Sequence, residues 1–323
     1  MIKFWGKEFI FSMRKITVFF IFGGLSCFCA NAQDIDLDNA LRETYINCVG
    51  IDESMHDMKV KAGINTAVTG VGTGLGVGAV ATGIAKAKTD NTLQQKFTEL
   101  KDLAYSANGE YEEADKEKFK KHAKQRLYSS RDGVNSISTE QNKETEELIK
   151  KSKKLGNWRT GLLAANTATN IAGAAIAGTN KVDKALAEQI DNCKSSVKLL
   201  KNEITRAKFE GADVSEAAEI ASACDGFEYI DLGKIDNRAK GGMTSSIVGA
   251  GTGVVGTITS ALANSNRIRN QDSTKEKDLN TSANVFAAGS TVASATATAF
   301  NAAQIKAIKD VAEIASKCAE VLK

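Results

Sequence analysis

Few residues in this sequence are equipped for chemistry, and the clearest are four cysteines: Cys48, Cys193, Cys224 and Cys318. In an exported chain an even number of cysteines is read as a disulfide framework, and four allow three pairings. Each half of the chain opens and closes with one of these residues. Cys48–Cys193 with Cys224–Cys318 is therefore expected over Cys193–Cys224 with Cys48–Cys318. No CxxC occurs and only two histidines exist, His56 and His122, so a zinc site is not expected. Gly251-Thr252-Gly253-Val254-Val255-Gly256 fits GxGxxG, but no apolar strand precedes it and no Walker lysine follows. There is no GxSxG or HExxH, and the 39 acidic residues are spread over polar stretches. His56 lies among Glu53 and Asp57 without a counterpart in the second half, which suits a local hydrogen bond. No catalytic residue, cofactor or metal is expected, and the chain does not read as an enzyme.

The cysteines acquire meaning from the leader. Lys3, Lys7, Arg14 and Lys15 precede the apolar run Ile16–Leu25, and Ala30-Asn31-Ala32 offers a small-x-small cleavage pattern. This is the form of a secretory signal peptide over 1–32, with Met13 an alternative start and lipidation at Cys27 a weaker alternative. The leader holds four of the 42 basic residues and one of the 39 acidic ones, Glu8, so the remainder is neutral, 38 against 38. A neutral chain argues against nucleic acid as a partner. The basic run Lys116, Lys118, Lys120, Lys121, Lys124 and Arg126 follows four acidic residues and reads as a solvated helix face.

Behind the leader the chain reads as a tandem duplication. Cys48-Val49-Gly50-Ile51-Asp52 recurs as Cys224-Asp225-Gly226-Phe227-Glu228; further on Lys61-Ala62-Gly63-Ile64 matches Lys240-Gly241-Gly242-Met243, and in that register Gly70 to Gly74 falls on Gly249 to Gly253. Lys181, Lys184, Ala187, Glu188 and Cys193 align on Lys306, Lys309, Ala312, Glu313 and Cys318. Unit one is placed at 33–200 and unit two at 201–323. Unit one carries a charged insertion, 88–158, rich in helix formers and read as two or three coiled-coil-like helices. Proline is absent from the whole chain, which suits long uninterrupted helices.

Four stretches lack any charge: Ala62–Ala85, Thr160–Asn180, Gly241–Asn266 and Leu279–Ile305. About twenty residues of helix span a bilayer, and each stretch is that long. Their composition is Gly, Ala, Thr, Ser and Asn rather than Leu and Phe, which is poor for insertion. Gly70, Gly74 and Gly78 repeat every fourth residue along one helix face, while Gly72 and Gly76 line a second. Glycine costs about 1 kcal/mol per helix-interior position relative to alanine. Close backbone packing through small-xxx-small ridges is the compensation that membrane helix pairs use. The alternation of glycines also leaves a strand open, although the second and fourth stretches show none. Trp158 and Arg159, just before the second stretch, suit an interfacial anchor or packing at the neck of the hairpin.

GxxxGxxxG at Gly70, Gly74 and Gly78 resembles the glycine-zipper hairpin proteins of bacterial envelopes. The second unit keeps Gly249 and Gly253, with Thr257 in the third place. The resemblance covers about a third of the chain. It implies membrane-embedded hairpins, packing against lipid or against further copies as a homo-oligomer, and no catalysis. The sequence thus predicts an all-α exported protein of the periplasm or outer membrane, with extracellular release as a further destination. It consists of two disulfide-closed helical hairpin units, and its role is structural or pore-like. The competing expectation is a soluble secreted bundle, binding or toxin-like, with the same stretches buried in water-soluble form.

Overall fold

The computed structural model describes residues 32–108, 139–265, 268 and 273–322. Residues 1–31, all but the last of the expected leader, lie outside the described residues, as do 109–138 with the basic run and His122. The chain forms α1 (Ala32–Cys48), α2 (Ile51–Asn108), α3 (Thr139–Thr179), α4 (Lys184–Phe209), α5 (Ser215–Cys224), a short 3-10 turn, α6 (Leu232–Asn264) and α7 (Ser273–Val321). Among the described residues there is no strand, and the alternating glycines from Gly70 to Gly78 are helical.

Local chemistry sets the breaks. Gly50, at φ 87°, supplies the left-handed residue between α1 and α2, and Gly211, at φ 86°, ends α4. Asp183 caps α4 by accepting from the Leu186 amide at 2.7 Å, and Asp231 starts α6 by accepting from the Gly233 amide at 3.0 Å. Asp213 opens α5 by accepting from both the amide and the hydroxyl of Ser215. The two Ser215 hydrogen bonds hold the Asp213 carboxyl below its ordinary pKa. α4 runs unbroken through residue 200, where unit one was expected to end, and the chain turns only at Gly211. In the described part of the insertion, the bundle helices themselves lengthen: α2 continues to Asn108 and α3 begins at Thr139.

α2, α3, α6 and α7 pack as an up-down-up-down bundle. α2 and α6 each pack between α3 and α7, which leaves α2 opposite α6 and α3 opposite α7. At the base, α1, α4 and α5 join the ends of these helices in a head with an ordinary apolar core: Ile51, Met55, Ile190, Leu200, Phe227, Ile235 and Ile308 are fully buried. Both disulfides lie in this core. Cys48–Cys193 has its Cα atoms 4.9 Å apart and Cys224–Cys318 4.5 Å apart. The pairing is the one in which each unit closes on itself.

Above the head the buried positions alternate in steps of three and four. In α2 they are Ala62, Asn65, Thr69, Gly72, Gly76, Ala79, Gly83 and Lys86, and in α6 Ala239, Gly242, Ser246, Gly249, Gly253, Gly256, Ser260 and Ala263. α3 buries Gly156, Arg159, Leu163, Asn166, Asn170, Gly173 and Ala177, and α7 buries Asn280, Ala283, Ala287, Ser290, Ser294, Ala297, Asn301 and Gln304. This is heptad spacing, the seam of a left-handed coiled coil. In water such a seam carries Leu, Ile or Val, because apolar burial drives the association. Here Leu163 is the one large aliphatic residue on these four lists.

Candidate functional site

The side chains missing from the seam are on the outside. Ile64, Val71, Val77, Ile84, Ile171, Ile247, Val248, Val254, Val255, Ile258, Leu262, Val285 and Val292 are all exposed, Val285 and Val292 to 65% and 66%. The outer face holds no charge from Ala62 to Ala85 of α2, and none over the facing stretches of α3, α6 and α7. At a rise of about 1.5 Å per residue this belt is roughly 36 Å tall. A bilayer's hydrocarbon core is about 30 Å thick. Charged residues resume at both rims: Lys59, Lys61, Lys181, Lys240 and Lys306 at the head, Lys88, Lys154 and Lys277 at the tip. Threonines on the belt, Thr296 exposed and Thr252 and Thr259 half-buried, satisfy their own hydroxyls. Thr252, Thr259 and Thr296 each donate to the carbonyl four residues earlier, at 2.9 Å.

The interior is polar in compensation. Asn166 Nδ2 donates to Ser290 Oγ at 2.9 Å, and Ser290 Oγ donates to the Gly249 carbonyl at 2.8 Å. One turn nearer the head, Asn170 Nδ2 donates to Ser294 Oγ at 2.8 Å. Asn301 Nδ2 donates to Thr69 Oγ1 at 3.3 Å, and Gln304 Nε2 to the Asn180 carbonyl at 2.8 Å. Apart from the Ser290–Gly249 bond, which lies within the α6–α7 hairpin, these bonds join α2, α3 or the residue just after α3 to α7, so they fasten one hairpin to the other. Leu163 with Ala79 and Ala287 makes a small dry layer towards the tip.

Arg159 lies beyond that layer, fully buried. Its Nε donates to Ser260 Oγ at 2.9 Å, Nη1 to Asn284 Oδ1 at 3.1 Å and Nη2 to Asn280 Oδ1 at 2.7 Å. The guanidinium is thus held by neutral oxygens of the opposite hairpin, an arrangement that uses its planar fork of donors. Lys86, also buried, closes the seam by pairing with Asp90 at 2.6 Å and Glu276 at 3.3 Å. Ser152 donates to Asp90 from α3.

The glycines divide by face. Gly70 and Gly74 have nothing within 4 Å of where a Cβ would stand, and at Gly78 the nearest atom is Leu162 Cδ1 at 3.4 Å. Close packing inside the bundle therefore runs along the second glycine face. A Cβ on Gly72 would stand 2.6 Å from Thr169 Oγ1, and one on Gly76 would run into Thr291 Oγ1. Gly249 and Gly253 are equally tight: a Cβ on the first would stand 2.8 Å from Asn170 Oδ1, and one on the second would run into Thr167 Oγ1. In burial and spacing Gly249 and Gly253 correspond to Gly72 and Gly76, two residues away from the expected register on Gly70 and Gly74. The reason is that both faces carry glycine, so a period of four alone does not say which one is inside.

Other sequence candidates stay apart from this site. His56 is exposed, and Trp158 stands 60% exposed at the neck. The GxGxxG run lies in the middle of α6, where its amides serve the helix and cannot cradle a phosphate. Buried Lys86 and Arg159 were not anticipated as interior residues. Their signal was available, since Arg159 stands four residues before Leu163 and seven before Asn166 on the buried face. No protein-family model, curated protein or solved structure matches the chain.

Proposed function

We propose that this is an exported, non-enzymatic envelope protein whose two Gly-rich hairpins cross a membrane as one four-helix bundle. The observation that carries this is the inversion of the bundle: Asn, Ser, Thr and Arg inside, Val and Ile outside, over a height that fits a bilayer. A soluble bundle would leave this apolar belt in water and bury amides where leucines would serve better. In lipid both costs vanish, because apolar faces meet acyl chains and polar groups bond across helices. α2 and α6 are also long and apolar enough to span by composition alone. Among the described residues α3 and α7 do not meet that measure, and Asn166, Asn170, Asn280, Ser290, Ser294 and Asn301 of these two helices turn inward. The disulfide-closed head would sit at one membrane face, in an oxidising compartment.

Tandem duplication is part of the proposal. It is supported by matching burial at Asn65 and Gly242, Thr69 and Ser246, Gly72 and Gly249, Gly76 and Gly253, and Gly83 and Ser260. So is self-association. Gly70 and Gly74 lie open on the belt, forming a small-residue ridge of the kind that brings membrane helices together.

Fractionation with alkaline carbonate tests the proposal. The protein is expected in the pellet, released by detergent only. A monodisperse species in a detergent-free periplasmic extract would instead support the soluble secreted bundle.

A further inference from the structure

We infer that the head-side half of the bundle interior binds water, held among Asn65, Ser246 and Asn301. All three side chains are fully buried, and each keeps polar atoms without a protein partner: both amide atoms of Asn65, Ser246 Oγ and Asn301 Oδ1. They come from three helices and converge on two glycines. Around the point where a Gly173 Cβ would stand, Thr69 Cγ2 lies at 2.7 Å, Ser246 Oγ at 3.2 Å and Asn65 Oδ1 at 3.4 Å, and Asn301, whose Nδ2 donates to Thr69 Oγ1, sets its Oδ1 against Gly242. Ser246 and Asn65 thus approach one point yet do not bond to each other, which is the geometry one bridging molecule satisfies.

The chemistry of the lining selects that molecule. Asn65 Nδ2 and the Ser246 hydroxyl donate, while Asn65 Oδ1, Ser246 Oγ and Asn301 Oδ1 accept. An anion would face three acceptor oxygens, and a cation would face the Asn65 N–H groups. No charged side chain is among the three to pay for either ion. A neutral molecule that both donates and accepts, small enough for a seam of glycines, is water, and buried water of this kind typically makes about three hydrogen bonds. The site is sealed by the Leu163, Ala79 and Ala287 layer towards the tip and by Ala62, Ile235 and Ile308 at the head. Water held there is enclosed by buried side chains. This inference is independent of whether lipid surrounds the belt.

Water-selective proton NMR on the mature protein, labelled with 15N-asparagine, reads the site directly. Long-lived water cross-peaks are expected at the side-chain amide of Asn65. They should be absent at Asn166 and Asn170, whose amide nitrogens already donate to Ser290 and Ser294. Ser246→Ala should weaken the Asn65 cross-peak and lower the melting temperature, because it removes one anchor of a bridge. Absence of any water cross-peak at Asn65 in the parent protein would overturn the inference. So would a Ser246→Ala protein that melts higher, since deleting a merely unpaired buried hydroxyl relieves a cost.

Discussion

Asn166 and Ser290 meet across the axis of the bundle, 2.9 Å apart and both fully buried, at positions where a water-soluble bundle would carry aliphatic side chains. Ser290 passes the bond on to the Gly249 carbonyl, and Asn170 with Ser294 repeats the pattern one turn on. The two hairpins are thus joined by amides and hydroxyls, while each is closed covalently at its own base. Asn166→Ala should leave Ser290 without its donor and cost roughly 1–3 kcal/mol. Thermal melting of the purified protein measures this, and an unchanged midpoint would show that the seam is held by packing alone.

The two glycine faces should respond oppositely to the same substitution. Gly72→Leu drives a side chain into Thr169 and Asn166, and overpacking typically costs about 1–3 kcal/mol. Gly74→Leu meets nothing in the bundle and gains up to about 1 kcal/mol of helix propensity. Gly74→Leu should therefore melt no lower than the parent, while showing reduced self-association in cross-linking. Equal destabilisation by both variants would contradict the assignment of faces.

Arg159→Lys should be nearly as harmful as Arg159→Ala. A point ammonium cannot reach Ser260, Asn280 and Asn284 together as the planar fork does. Each buried acceptor left bare costs about 1–3 kcal/mol. Full stability in Arg159→Lys would mean that charge rather than geometry matters there.

The disulfides should each stabilise the fold by about 4–5 kcal/mol in the chain-entropy model, given sequence separations of 145 and 94 residues. Non-reducing peptide maps are expected to yield Cys48–Cys193 and Cys224–Cys318 peptides. A Cys193–Cys224 peptide would refute the self-closed hairpins.

The sequence made some of this legible and left some of it ambiguous for physical reasons. Absence of proline, four charge-free stretches and cysteines at the ends of each unit lead directly to long helices and to the observed pairing. The choice between Gly70/Gly74/Gly78 and Gly72/Gly76 does not follow from spacing, because both rows are glycine. What decides it lies elsewhere in the chain: Asn166, Thr169 and Thr291 need space, and Gly72 and Gly76 provide it. The heptad is hidden in the sequence because seam positions are normally marked by large aliphatic residues, and here those residues mark the outside. Arg159 and Lys86 look like ordinary boundary charges until the partner hairpin surrounds them.

The most direct measurement of the central claim places a single tryptophan on the outer belt. In the Trp158→Phe background, Val292→Trp puts the fluorophore at a position now 66% exposed, midway along α7. After reconstitution into vesicles, lipids brominated deep in their acyl chains should quench this tryptophan strongly, and aqueous acrylamide should not. Strong acrylamide quenching with no effect of the brominated lipids would place the belt in water and contradict the account.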